Sequence, residues 1–158
     1  MMRMKADAGH DAPTPRWTRR AGVLLLAWVL AAAWGSVVQT HWNLQALVDV
    51  GVNIPATDWW RVIGQDLIGF APLYGGILAA GWVIALPVAS GLARWWPAAR
   101  SALLGLAAGV GMVAAVRAVD AVAPMPVFID ATRGLPGLLA MAAGAVLAGW
   151  LYARLSAR

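Results

Sequence analysis

Four stretches of the chain carry almost no charge, and polar, proline-bearing or arginine-bearing segments separate them. The first runs from Ala21 to about Val38 without a charged residue. At about 1.5 Å of rise per residue it just spans a hydrocarbon layer of about 30 Å. The second, Phe70 to Ala93, opens near Pro72, where a first helical turn tolerates proline, and carries Pro87 near its far end, which predicts a kink around Val83 to Pro87. The third, Ser101 to about Val119, follows Pro97 and carries one charge, Arg117, close to its end. The fourth runs from Gly134 to about Ala153. The pattern predicts an all-α fold, an integral membrane four-helix bundle forming one domain over residues 21–155, with spans at about 21–39, 70–93, 101–121 and 134–154.

Residues 1–20 are polar and basic, hold Pro13 and Pro15 and lack hydrophobic periodicity, so a disordered tail is expected there. The loop over 40–69 is too long for a simple turn and amphipathic rather than polar. Leu44, Leu47, Val48 and Val50 alternate with Asn43, Gln45 and Asp49, and Trp59, Trp60, Val62, Ile63 and Leu67 alternate with Asp58, Arg61 and Asp66. This predicts an amphipathic interfacial segment between the first two spans, one or two short helices on the outer membrane surface, with Thr57 or Asp58 capping the second. The other outer loop, 121–133, holds Pro124 and Pro126 and is expected to be ordered without helix.

Composition agrees with the spans. The 158 residues are 61% hydrophobic and 12% charged, more apolar surface than a soluble core of this size buries, so the lipid bilayer is the first expected partner. Nine of the twelve Lys and Arg residues flank one side of the spans, leaving Arg61, Arg117 and Arg133 on the other. By the positive-inside rule both termini are cytoplasmic. Trp17, Trp95, Trp96, Trp150 and Tyr152 then fall at the inner interface, and Trp42, Trp59, Trp60 and Tyr74 at the outer one. A net charge of +5 dispersed around hydrophobic spans is topology rather than a nucleic-acid footprint. A competing reading takes residues 1–33 as a signal peptide, with Arg19-Arg20, an apolar stretch and Ala31-Ala32-Ala33 as the cleavage site. The apolar run continuing through Trp34 to Val38 speaks against it.

Small residues four apart mark each span: Ala27, Ala31 and Gly35; Gly76 and Ala80; Gly105 and Gly109; Gly137, Ala140 and Gly144, with Ala145 and Gly149. Such stripes let helix backbones approach closely inside a bundle or between two copies. Extended outward in steps of four, they reach Gln39, Arg117 and Arg133, while Asp66 lies three residues before Gly69 and Asp120 three after Arg117. A polar cluster of Gln39, Asp66, Arg117, Asp120 and Arg133 is therefore expected at the outer end, with His41, Asn43 and Asp130 as further members. Arg117, inside a span, is its leading candidate for binding an anion. The plainer reading is that Arg117 snorkels outward or pairs with Asp120.

The remaining chemistry is spare. The absence of cysteine removes disulfides, thiolate metal sites and dithiol relays. His10 and His41 form no paired haem site and no metal site at helical spacing, so no cofactor or metal is expected. Mid-span positions hold no Asp, Glu, Lys or His, which argues against an ion-coupled carrier.

The run Gly35-Ser36-Val37-Val38-Gln39-Thr40 with Asn43-Leu44, then Phe70-Ala71-Pro72 and Ala131-Thr132-Arg133, resembles small four-span proteobacterial membrane proteins without assigned function. That resemblance implies a Gram-negative inner membrane and no activity. The residues leave three functions open: a non-enzymatic accessory or assembly protein that engages another membrane protein or itself; a binding or transport protein whose outer Arg/Asp cluster holds an anionic head group or small anion; and a membrane enzyme using Asp66 or Asp120 as an acid-base group.

Overall fold

The computed structural model describes residues 16–123 and 129–157. It consists of α1 (Arg16–Asp49), α2 (Ala56–Leu92), α3 (Arg100–Val122) and α4 (Leu135–Ser156), with single 3-10 turns at Pro97–Ala99 and Asp130–Thr132. Among the described residues there is no strand. The helices alternate in direction and each packs on its sequence neighbours, with α4 closing the ring against α1. Arg16 and Ala157 therefore lie at one end of the bundle, here the terminal end; the α1–α2 turn and the Asp130–Thr132 turn lie at the distal end. The tail expected over 1–20 falls outside the described residues up to position 15, and Arg16 to Arg20 are already helical.

All four helices are long and apolar enough to cross a membrane. Leu25, Leu26, Val83, Ile84, Leu106, Val110, Leu139 and Leu147 are exposed along their flanks. In water that surface would aggregate, so the architecture is that of a multi-pass membrane protein.

Two spans differ from expectation. The segment 40–69 forms no separate surface helices: α1 continues to Asp49 and α2 begins at Ala56, 34 and 37 residues long. The alternation that suggested surface helices is the amphipathic outer part of these two helices, and a turn of a few residues joins them. Its geometry is set by Gly51 at φ 91°, with Gly51 N–H donating to the Val48 carbonyl (2.9 Å) and Val52 N–H to the Leu47 carbonyl (3.0 Å). This is the paired closure that a left-handed glycine permits after a helix end. Pro55, not Thr57 or Asp58, caps α2, and no side chain makes a capping bond there. Pro72 is consequently inside α2, which runs unbroken through it and through Pro87.

The interior is built by close backbone approach. Ala27, Ala31, Gly35, Gly105, Gly109, Gly137, Gly144, Ala145 and Gly149 are all buried. A Cβ added to Gly81 would stand 2.1 Å from the Gly111 carbonyl oxygen, and one added to Gly149 would stand 2.7 Å from that of Leu104. The expected α2 stripe is displaced, however: Gly76 and Ala80 face outward, and a Cβ on Gly76 would meet nothing within 4 Å. The inward face of α2 carries Tyr74, Leu78, Trp82 and Leu86 instead. Tyr74, placed by its sequence position in the outer aromatic belt, is fully buried against Gly35, which has room for it only because it lacks a side chain.

Three indoles tie neighbouring helices. Trp28 Nε1 donates to the Gly75 carbonyl (2.8 Å), Trp34 Nε1 to Ala140 (2.8 Å) and Trp82 Nε1 to Ala108 (3.0 Å), joining α1–α2, α1–α4 and α2–α3. A helical carbonyl keeps a lone pair after its own ladder bond, so each clamp satisfies an indole at no loss to the helix. Within a membrane such bonds contribute about 0.6 kcal/mol on average and up to about 2 kcal/mol.

Candidate functional site: the distal polar groups

At the distal end the candidate residues form three bonding groups rather than one cluster. The first is buried and spans elements. Gln39 on α1 accepts the Ala131 backbone N–H at Oε1 (2.8 Å) and donates from Nε2 to Asn43 Oδ1 (3.3 Å). One residue on, Thr40 Oγ1 stands 2.6 Å from Asp66 Oδ2 on α2 and 2.9 Å from the Ser36 carbonyl. Gln39 and Thr40 thus fasten α1 both to α2 and to the turn preceding α4. That turn is itself buried at Ile129, Ala131 and Thr132, with the Thr132 hydroxyl donating to the Ile129 carbonyl (2.7 Å). A glutamine amide suits this position because it offers an acceptor and donors together without a charge to desolvate.

The second group is Arg117 with Asp120 on α3, 3.7 Å apart, their side chains 54% and 11% exposed. The third is Arg133 with Asp130, 2.9 Å apart and 64% and 36% exposed. Both are pairs of residues three apart, and both guanidinium groups face outward. Of the expected cluster, the structure therefore joins Gln39 and Asn43 to each other and places Asp66 beside them through Thr40. It gives Arg117 and Arg133 partners of their own. The divergence has a geometric cause: each step of four residues advances about 40° beyond a full turn. Three steps from Gly105 carry Arg117 about 120° off the buried face of α3. Three steps from Ala27 carry Gln39 just as far, but there the 129–132 turn covers α1.

The His41 ring lies 5.8 Å from that of Trp42, edge to face, and 5.3 Å from that of Trp59, tilted, which makes it part of an aromatic group on the α1–α2 hairpin. No group of three or more His, Cys, Asp or Glu residues among the described residues is placed to hold a metal ion. Two buried hydroxyls, Ser36 Oγ and Tyr74 Oη, have no hydrogen-bond partner among the described residues.

The sequence reading missed Thr40, Ser36, Thr132 and the backbone donor of Ala131. Thr40 follows Gln39 directly, and a hydroxyl next to an amide at a span's end is a usable signal. The Ala131 bond joins residues 92 positions apart and had none. Comparisons with protein-family models, curated proteins and solved structures found no match to this chain.

Proposed function

We propose that this chain is a non-enzymatic accessory or assembly protein of a bacterial inner membrane, with both termini cytoplasmic, acting through helix packing and the distal α1–α2 hairpin, which would then be periplasmic. The observation that carries this reading is the shape and surface of that hairpin. Gln39 meets Ala131, four residues before α4 begins, so residues 43–65 continue past the level where α4 starts. At about 1.5 Å per residue, each arm projects on the order of 10–15 Å. The projection is amphipathic and exposes large apolar side chains: Val50 is 76% and Trp60 74% exposed, and a recess of about 440 Å³ is lined by His41, Ile54, Ala56, Trp59, Trp60 and Ile63. Exposed aromatics around a recess are the usual anchors of a contact surface.

Native mass spectrometry of the protein released gently from its own membrane tests this. The expected result is a second membrane protein or a second copy at fixed stoichiometry, lost in a Val50→Asp, Trp60→Ser variant that keeps its helicity. A monomer whose Val50→Asp, Trp60→Ser form performs identically in the cell would overturn it. A second reading, a binding or transport protein with an anion site at Arg117, Asp120, Arg133, Asp66 and Gln39, is favoured by the outward exposure of both arginines. For that reading Arg117→Gln, Arg133→Gln must abolish anion binding without loosening the bundle.

A further inference from the structure

The terminal half of the bundle holds a different kind of surface. Between α1 and α2 runs an apolar groove of about 730 Å³, with Leu24 and Trp28 on one wall, Trp82 and Leu86 on the other, and Ala21 and Ser90 at its terminal mouth. That volume lies within the 300–1,000 Å³ or so of ordinary small-molecule sites. The two indoles in its walls, Trp28 and Trp82, are each held by a hydrogen bond to a carbonyl of a neighbouring helix. The groove opens sideways on surface that hydrocarbon must cover, so a chain molecule of the bilayer can enter without crossing water.

The mouth is where the charge lies. Among the described residues every Asp, namely Asp49, Asp58, Asp66, Asp120 and Asp130, is distal, while the terminal end carries Arg16, Arg19, Arg20, Arg94, Arg100 and Arg154. Some of these are engaged: Arg19 donates to the Leu155 carbonyl, Arg100 to the Ala153 carbonyl and to Ser156 Oγ, and Arg154 lies over the Trp150 ring. Arg20 and Arg94 have no carboxylate within ion-pair distance among the described residues. Arg20 stands one turn before Leu24, on the same row of α1, and Arg94 lies in the turn that follows α2, four residues beyond Ser90, so both lie at the terminal end of the groove.

We propose that this groove is a binding site for one anionic phospholipid, an acyl chain lying between Trp28 and Trp82 and the phosphodiester meeting the guanidinium groups of Arg20 and Arg94. Charge complementarity selects this occupant over a zwitterionic lipid. Guanidinium groups take phosphate oxygens in paired hydrogen bonds, and a positive group near the membrane surface gains from each anionic head group it meets.

The test is native mass spectrometry of the full chain in detergent, titrated with phosphatidylglycerol and with phosphatidylcholine of identical chains. One phosphatidylglycerol is expected to be retained per chain in clear preference. At about five-fold per arginine, Arg20→Gln, Arg94→Gln lowers its affinity roughly twenty-five-fold and lowers that of phosphatidylcholine, whose choline cation offsets the phosphodiester charge, by less. Because the chain has no cysteine, Ala21→Cys can be capped after purification with a bulky maleimide that fills the mouth of an already folded protein. The cap is expected to displace the lipid, whereas the same cap on Leu139→Cys, exposed on α4, is not. Equal retention of the two lipids, a preference that survives the arginine substitutions, or retention under the Ala21 cap each overturns the proposal. A preference lost only in Arg117→Gln, Arg133→Gln also overturns it and transfers the lipid to the distal end, in favour of the second reading above.

Discussion

The terminal and distal ends of the bundle both carry arginine, and they use it in opposite ways. At the terminal end Arg19 and Arg100 reach across to the last carbonyls of α4, over 136 and 53 residues of sequence, where a cation also opposes the helix dipole. At the distal end Arg117 and Arg133 each pair with an aspartate three residues away and otherwise face outward. The distal end is fastened instead by neutral side chains, Gln39 and Thr40. The contrast teaches that charge at a helix end does not reveal which groups carry tertiary structure. An arginine bonded to carbonyls on another helix holds two elements together, whereas one with a local carboxylate satisfies only itself.

That contrast can be broken most severely at a point between the ends. Gly81→Val sets a side chain against the Gly111 carbonyl, which belongs to backbone and has no rotamer through which to yield. Overpacking of this kind costs about 1–3 kcal/mol and more where backbone must move, so equilibrium unfolding in mixed micelles is expected to show a loss of about 3 kcal/mol. Gly76→Val, on the open face of the same helix, serves as its near-neutral control.

At the ends themselves, Arg100→Gln is expected to cost about 2 kcal/mol in the same assay, the scale of hydrogen bonds made by a charged donor. A result within error of wild type would erase the distinction between the two ends. Gln39→Leu removes the acceptor of the buried Ala131 N–H and is expected to cost about 1–3 kcal/mol, with hydrogen exchange rising at Ala131 before the rest of the chain. The smallest effect belongs to Arg117→Ala and Arg133→Ala, each expected below about 1 kcal/mol and smaller still at high salt, because both guanidinium groups are more than half exposed and solvent screens them. A larger and salt-independent loss at Arg117 would place it with the terminal arginines.

How much of this was legible follows from how far each signal reaches along the chain. Charge-free runs of about twenty residues are local, and they placed all four helices; the bounds of α3 and α4 followed closely, whereas α1 runs on to Asp49 and α2 starts at Ala56, well beyond the charge-free runs. The Arg117–Asp120 pair was equally readable, since residues three apart on a helix are neighbours whatever surrounds them; the Arg133–Asp130 pair, formed across a 3-10 turn, was not read from the sequence. The region over 40–69 misled because amphipathic alternation looks alike in a helix lying on a membrane and in one continuing out of it. Gly51, followed by Pro55, was the better sign that one helix ends and the next begins there.

The sequence by itself therefore determined that this protein has four apolar helices alternating in direction, with small residues available for close packing and polar groups gathered at the helix ends. Only the tertiary structure decided which face of each helix turns inward, because that depends on what the neighbours can accommodate. Tyr74 needs the space above Gly35, and Trp82 needs the Ala108 carbonyl. Meeting both rotates α2 until Gly76 and Ala80 look outward. The same dependence joined Gln39 to Ala131 and left Arg117 on the surface: a small-residue stripe specifies that a backbone can approach, while the large side chains opposite specify where.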